Sequence, residues 1–125
     1  MQKHEEWLFI ATIDLESARL LGSQENLIPT ALYHTQQCAE KSLKGYLAFK
    51  QQQINKIHDL VALIKECRKI DESFAELLSK SAQLKPYITQ SRYPDDYVES
   101  NKDDIKIALE NATYIFEFVR NKLSI

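Results

Sequence analysis

Glycine, proline and cysteine are scarce in this chain of 125 residues, which contains two glycines, three prolines and two cysteines. Tight hairpins and phosphate-cradling loops both depend on glycine, so the composition disfavours all-β folds and glycine-rich nucleotide sites. Cys38 and Cys67 lie far apart, with no cysteine or histidine at metal-ligand spacing. We therefore expect helices, no disulfide framework, no metal, no cofactor and a reducing compartment.

Long apolar runs and a strong excess of either charge are also missing. Charged residues interrupt every apolar stretch within a few positions, so no membrane span is expected. The N-terminal apolar run contains Asp14 and Glu16, unlike a signal peptide. The net charge is −2 with both signs mixed, which excludes the basic surface of a general nucleic-acid binder. We expect a soluble cytoplasmic protein in which any RNA contact is local.

Apolar residues recur at helical spacing in five segments, and no segment alternates like a strand. Candidate caps, Gly22 and the prolines set the boundaries of these segments. The predicted helices are Lys3–Leu21, about Pro29–Gln51, His58–Ile70, a fourth from Asp71 or Ser73 to before Pro86, and a last from Ser100–Asp104 to Leu123. The sequence thus predicts one all-α domain over residues 1–125, an antiparallel bundle of four to five helices.

The first and last predicted helices carry more apolar residues than one buried face needs. Beyond the main stripes, the first helix has Phe9, Ile13 and Leu20, and the last has Ile107, Tyr114 and Phe118. Exposed apolar patches usually mark an interface, so we expect a homodimer through these two helices. The alternative is that the second stripes cover the short third and fourth helices within one chain.

The second helix combines an apolar arc with an ordered polar side. His34, Lys41 and Lys44 lie on or near that side, together with Tyr33, Gln37 and Glu40. The two lysines and the histidine have the charge and donors to hold an anion. The alternative is a solvated helix face in which Glu40 and Lys44 form an ordinary i,i+4 pair worth about 0.2–0.5 kcal/mol.

Four segments in order resemble the HEPN family over nearly the whole chain. They are the Trp7–Ala18 helix pattern, Tyr33-His34-x-x-Gln37-x-x-Glu40-Lys41-x-x-Lys44, His58-Asp59-Leu60, and Arg92-Tyr93-Pro94. The resemblance implies a dimerising antiparallel bundle. It also implies kinship with small prokaryotic HEPN proteins that are encoded beside a minimal nucleotidyltransferase in toxin–antitoxin-like systems.

The ribonuclease members of that family use an arginine followed after four to six residues by a histidine. Arg92 matches the arginine, but no histidine falls in the window and Tyr97 stands there instead. A tyrosine with a pKa near ~10 transfers protons poorly at neutral pH. The resemblance therefore does not carry ribonuclease activity over to this chain. The catalytic candidates are Arg92 and, as a substitute histidine, His34.

Three functions remain open from the sequence. The first is a non-catalytic module that binds a nucleotide or RNA, or docks a nucleotidyltransferase partner; its expected binding residues are His34, Lys41, Lys44, Arg92, Tyr93 and Tyr97. The second is a metal-independent, toxin-like ribonuclease that uses Arg92 with His34. The third is an interaction module without a ligand. The resemblance adds that Tyr93 or Tyr97 could accept a nucleotidyl group from such a partner.

Overall fold

The computed structural model describes residues 1–54, 57–84 and 100–124, and within them the regular structure is entirely helical. Short 3-10 segments at Glu25–Leu27 and Glu72–Leu77 precede the second and fourth α-helices. The α-helices are α1 Lys3–Leu21, α2 Ile28–Phe49, α3 Leu60–Ile70, α4 Leu78–Leu84 and α5 Lys102–Leu123. The predicted all-α bundle is confirmed, although the fourth predicted helix begins as a 3-10 segment.

Helix α2 lies at the centre and packs against both α1 and α5. It runs antiparallel to α1, because Gly45 near its end faces Leu8 while His34 near its start faces Asp14. A Cβ on Gly45 would lie 2.4 Å from Leu8 Cδ2 and 3.3 Å from Trp7 Cβ. The absence of a side chain at Gly45 therefore allows α1 and α2 to approach closely, which positions the polar groups further along both helices.

Helix α5 also runs antiparallel to α1 and closes the bundle on the other side. Gly22 ends α1 with ordinary right-handed backbone angles, so its small size matters for packing rather than for the turn. A Cβ there would lie 2.8 Å from Ile105 Cγ1. Asn101 caps α5 by accepting from the backbone of Asp103 and Asp104, and the Asp104 carboxylate accepts from the Asn101 N–H in return.

The core is built around an aromatic cluster at Phe74. Its ring centroid lies 4.4 Å from that of Tyr46 and 5.0 Å from that of Phe118, the latter in a T-shaped arrangement. Phe118 thus covers the short α3–α4 region, as the single-chain alternative expected for the second apolar stripes. Ile107 and Tyr114 on α5 and Phe9, Ile13 and Leu20 on α1 stay exposed. Within one chain, therefore, Phe118 is covered, whereas the other five residues of the second apolar stripes remain exposed.

Candidate polar site on helix α2

Helix α2 buries polar side chains as well as apolar ones. Thr35 and Ser42 satisfy their hydroxyls on the helix itself, since Thr35 Oγ1 donates to the Leu32 carbonyl at 2.6 Å and Ser42 Oγ to the Cys38 carbonyl at 2.7 Å. His34 and Lys41 pair with a residue of α1, whereas Lys44 pairs with Glu40 of α2 itself, which also lies beside a residue just before α3. Two clusters result, one against α1 and one against the start of α3.

The first cluster centres on Asp14, a buried carboxylate in the middle of α1. Its Oδ1 lies 2.8 Å from His34 Nδ1, and its Oδ2 accepts from Lys41 Nζ at 2.7 Å. The Asp14 side chain is 8% exposed, whereas those of His34 and Lys41 are 27% and 23% exposed. The carboxylate is thus enclosed, and both of its partners reach the surface. We call these three residues the Asp14 cluster.

The Asp14 cluster orients the imidazole of His34. An ionised carboxylate only accepts hydrogen bonds, so Nδ1 carries the proton and donates to Asp14. In the neutral ring Nε2 is then an acceptor that faces away from the carboxylate. Among the residues that the structure describes, the hydrogen bond of His34 runs through Nδ1 and none is made at Nε2; its ring also contacts that of Tyr33, with centroids 5.7 Å apart. A histidine held in this way can take up or release a proton at Nε2.

The second cluster centres on Glu40. Its Oε2 accepts from Lys44 Nζ at 3.2 Å and lies 3.4 Å from Nδ1 of His58, whose side chain is 74% exposed. The Lys44 ammonium also lies 5.7 Å from the centroid of the Trp7 ring. Glu40 and Lys44 form the i,i+4 pair of the alternative reading, but both are buried rather than solvated, with Trp7 of α1 beside Lys44 and His58 beside Glu40.

Charge neutralisation limits what either cluster can bind. Lys41 is paired with Asp14 and Lys44 with Glu40, so each cluster is neutral when its histidine is neutral. Lys44 is too enclosed to meet a ligand from solvent, whereas Lys41 and His34 share one accessible surface. Of the predicted binding residues, the structure brings together His34 and Lys41. Arg92, Tyr93 and Tyr97 lie outside the described residues.

Asp14 is the partner that the sequence reasoning missed. It falls on the buried stripe of α1, between Ala11 and Ala18, where an aspartate has no apolar role. That position was the available signal, since a carboxylate on a core stripe needs a cation or a donor opposite it. At the start of α3, Asp59 caps the helix by accepting from the Val61 N–H at 3.0 Å.

Two other kinds of site, a metal centre and a catalytic thiol, find little support among residues 1–54, 57–84 and 100–124. No three histidine, cysteine, aspartate or glutamate side chains in these ranges are grouped to hold a metal ion. Burial raises the pKa of both Cys38 and Cys67 to about 12, which keeps the thiols protonated and unsuited to nucleophilic catalysis. None of the described helices is long and apolar enough to cross a membrane.

The fold and the polar helix define a class: small antiparallel helical bundles with a charged, partly buried central helix. Residues 4–122 match the family model described as "HEPN domain". The chain belongs to the HEPN family.

Known relatives agree with that assignment. A Methanocaldococcus jannaschii protein named "Putative toxin MJ1304" is 31% identical over 135 residues, covering 93% of this chain and 86% of the relative. The crystal structure of ST0689, described as an archaeal HEPN homologue, matches with a TM-score of 0.74 and 30% identity over 98% of each chain. The crystal structure of TT1696 from Thermus thermophilus shares the fold, with a TM-score of 0.86 and 24% identity over 98% of this chain and 99% of that one.

Proposed function

We propose that this chain is the HEPN component of a toxin–antitoxin-like system and binds a nucleotide or RNA through the Asp14 cluster. The observation that carries the proposal is the pair of accessible donors, His34 and Lys41, held side by side on one buried carboxylate. The toxin-like name of the Methanocaldococcus relative supports the system-level part. A nucleotidyltransferase partner and a cytoplasmic location belong to the same proposal, and two free, buried cysteines suit a reducing compartment.

The pairing with Asp14 predicts the character of this binding. Donors fixed before a ligand arrives lose less conformational freedom on binding, which favours a defined contact with one phosphate. Asp14 also offsets the charge of Lys41, so the cluster by itself adds little long-range attraction. We therefore expect modest affinity for single-stranded RNA. This affinity should fall only slowly as the salt concentration rises, with the slope that about one phosphate contact gives. Arg92, Tyr93 and Tyr97 stay proposed as further phosphate and base contacts.

Fluorescence anisotropy with a 5′-labelled single-stranded RNA tests the binding proposal, with ATP tested separately by thermal shift. We expect His34→Ala and Lys41→Ala each to weaken binding several-fold and Arg92→Ala to weaken it as well. His58→Ala is the matched control, because His58 is also held by a carboxylate but belongs to the Glu40 side of α2. If neither RNA nor ATP binds, or if His34→Ala binds like the unaltered protein, the proposal fails and an interaction module without a ligand is favoured.

A second candidate function, metal-independent RNA cleavage, is favoured by the orientation of His34. With Nδ1 on Asp14, Nε2 is the atom that would accept the proton of a ribose 2′-hydroxyl as its oxygen attacks the adjacent phosphorus. The bond from phosphorus to the 5′-oxygen of the next nucleotide would break, leaving a 2′,3′-cyclic phosphate, and the 5′-oxygen would take a proton from water, while Arg92 would stabilise the phosphate. Cleavage in EDTA that is lost in both His34→Ala and Arg92→Ala would support it. Cleavage that survives both substitutions would point to a contaminating nuclease or to another site.

The homodimer also belongs to the proposal. The outer face of α5 is the better candidate for the contact, because Ile107 and Tyr114 are exposed there beside a groove of about 610 Å³. That face carries charges of both signs: Glu110 and Glu117 lie on α5, and the Lys80 ammonium lies over the Tyr114 ring. In a two-fold symmetric dimer, Lys80 of one copy can lie opposite Glu110 or Glu117 of the other. Sedimentation velocity of the unaltered protein and of Tyr114→Lys tests this, since a dimer through α5 should become a monomer.

A further inference from the structure

A stripe of large apolar side chains on α1 faces away from the bundle. Phe9, Ile13 and Leu20 are 56%, 47% and 73% exposed. Together with Glu6 and Glu16 they follow one another at alternating intervals of three and four positions, which is the spacing of a coiled-coil seam. We call these five residues the α1 seam.

Phe9 gives the α1 seam a shape that a partner side chain can fit. It borders two grooves: one of about 500 Å³ that is also lined by Trp7 and Ile10, and one of about 400 Å³ that reaches Thr12 and Phe116 on the side of α5. A projecting aromatic ring between two depressions suits the insertion of apolar side chains from a helix laid along α1.

The charges of the α1 seam have one sign, because its two charged members are Glu6 and Glu16. Two cations border the seam: Lys3 Nζ lies 3.9 Å from Glu6 at the end of the seam, with both side chains exposed, and Arg120 of α5 lines the smaller groove beside Phe9 and pairs with Glu117. Arg19 Nη2 donates to Thr113 of α5 at 3.5 Å. No cation of the described residues pairs with Glu16, which lies between Ile13 and Leu20.

A second copy of this chain is a poor occupant of the α1 seam. Two seams brought face to face would match their apolar residues, but Glu16 of each copy would meet no seam cation, and Glu6 would have only the exposed Lys3 nearby. A carboxylate enclosed without a cation is costly, whereas a lysine or arginine opposite it removes that cost.

We infer that the α1 seam is the docking surface for a helix of a different protein, an amphipathic helix with basic residues opposite Glu6 and Glu16. The two basic positions are ten residues apart along α1, which corresponds to about 15 Å of helix. Between them the partner helix presents apolar residues to Phe9 and Ile13. This inference does not depend on RNA or nucleotide binding at the Asp14 cluster.

A pair of labelled synthetic peptides tests the inference. Both are amphipathic helices of about 18 residues with the same apolar seam, long enough to form a helix on binding. One peptide has lysine at the two positions opposite Glu6 and Glu16, and the other has glutamate there. We expect the lysine peptide to bind with a micromolar Kd by fluorescence anisotropy and the glutamate peptide to bind at least tenfold more weakly. The difference should narrow at about 1 M salt.

Charge reversal gives the decisive comparison. In the double variant Glu6→Lys, Glu16→Lys the preference should invert, so that the glutamate peptide binds better; Glu25→Lys, at an exposed carboxylate outside both α1 and the α5 face, is the matched control and should leave the preference unchanged. Equal binding of the two peptides, or a preference that survives the reversal, would overturn the inference. So would a dimer in sedimentation velocity that Phe9→Ser converts to a monomer, because the α1 seam would then bind a second copy.

Discussion

Replacement of Asp14 by alanine tests whether the Asp14 cluster organises the contact between α1 and α2. The substitution removes the only carboxylate in the described structure that pairs with both His34 and Lys41, through contacts of 2.8 and 2.7 Å. Both partners would keep their positions on α2 but lose the group on α1 that holds them. The change should therefore lower the stability of the fold and also release the imidazole of His34.

The burial of the three side chains sets the size of the effect. Breaking a fully buried ion pair by removing one partner costs about 3–5 kcal/mol. His34 and Lys41 are about a quarter exposed, so water can replace part of the lost interaction. Alanine also favours a helix interior over aspartate by about 0.5 kcal/mol. We expect a net loss of about 2 kcal/mol in the free energy of unfolding, a substantial share of the roughly 5–15 kcal/mol typical of a domain.

Urea denaturation followed by far-UV circular dichroism and by the fluorescence of Trp7 measures this loss. Glu16→Ala is the matched control, because it removes an exposed carboxylate from the same helix and should change stability by less than about 0.5 kcal/mol. A double-mutant cycle with Lys41→Met isolates the pair; we expect a coupling energy of about 1–2 kcal/mol between Asp14 and Lys41. Long-range ¹H–¹⁵N NMR reports the tautomer of His34, which should be a single Nδ1–H form only while Asp14 is present.

Two results would refute this reasoning. If Asp14→Ala unfolds within about 0.5 kcal/mol of the unaltered protein, the carboxylate does not hold α1 to α2. If the losses of Asp14→Ala and Lys41→Met simply add, the two side chains do not interact in solution, whatever their distance. In either case Asp14 would not hold the side chains of His34 and Lys41 in place before a ligand binds.

Three further predictions concern the rest of the fold. Phe74→Ala should cost about 3–5 kcal/mol in urea denaturation, because it empties a fully buried aromatic position; a loss below about 1 kcal/mol would contradict the packing. Gln36→Met should raise the urea midpoint, with a gain of about 1–2 kcal/mol, since both amide atoms of Gln36 are buried without a hydrogen-bond partner among the described residues; a loss would show that the amide is bonded in solution. Lys122 and Ser73 lower the pKa of Asp71 from 3.8 to about 2. Because the folded-state pKa lies below the unfolded value, the ionised Asp71 carboxylate stabilises the fold above about pH 4, and this stabilisation is lost as the pH falls through about 2. Asp71→Asn should therefore destabilise the protein at about pH 5 and progressively less towards about pH 2. An effect that is independent of pH would contradict the assignment.

Much of the fold could be predicted from the sequence because its signals are local. Lys3–Leu21 was predicted with the boundaries that the structure has, from helical spacing and Gly22 alone. The starts of α2 and α5 were within a few residues for the same reason. The 3-10 segment Glu72–Leu77 was missed, because 3-10 and α-helical turns place apolar residues at similar spacing. Gly22 ends α1 as predicted, but its contact with Ile105 could not be predicted, because only the packed structure brings the two residues together.

The candidate site was predicted in part. His34 and Lys41 were chosen from α2 alone, and the structure does bring them together. Lys44 was chosen by the same reasoning, yet it is buried on Glu40. A helical wheel separates polar from apolar sides, but it does not tell which polar side another helix will cover.

The sequence by itself determined the helical class, the approximate helix boundaries and the family, because helical periodicity, caps and ordered motifs are properties of neighbouring residues. Only the tertiary structure decided how the charges of α2 are used. Asp14 lies 20 positions before His34 and 27 before Lys41, and it becomes their partner because α1 and α2 pack closely and antiparallel, an approach that Gly45 permits beside Leu8. The energy of an ion pair depends on distance and burial, and the fold sets both.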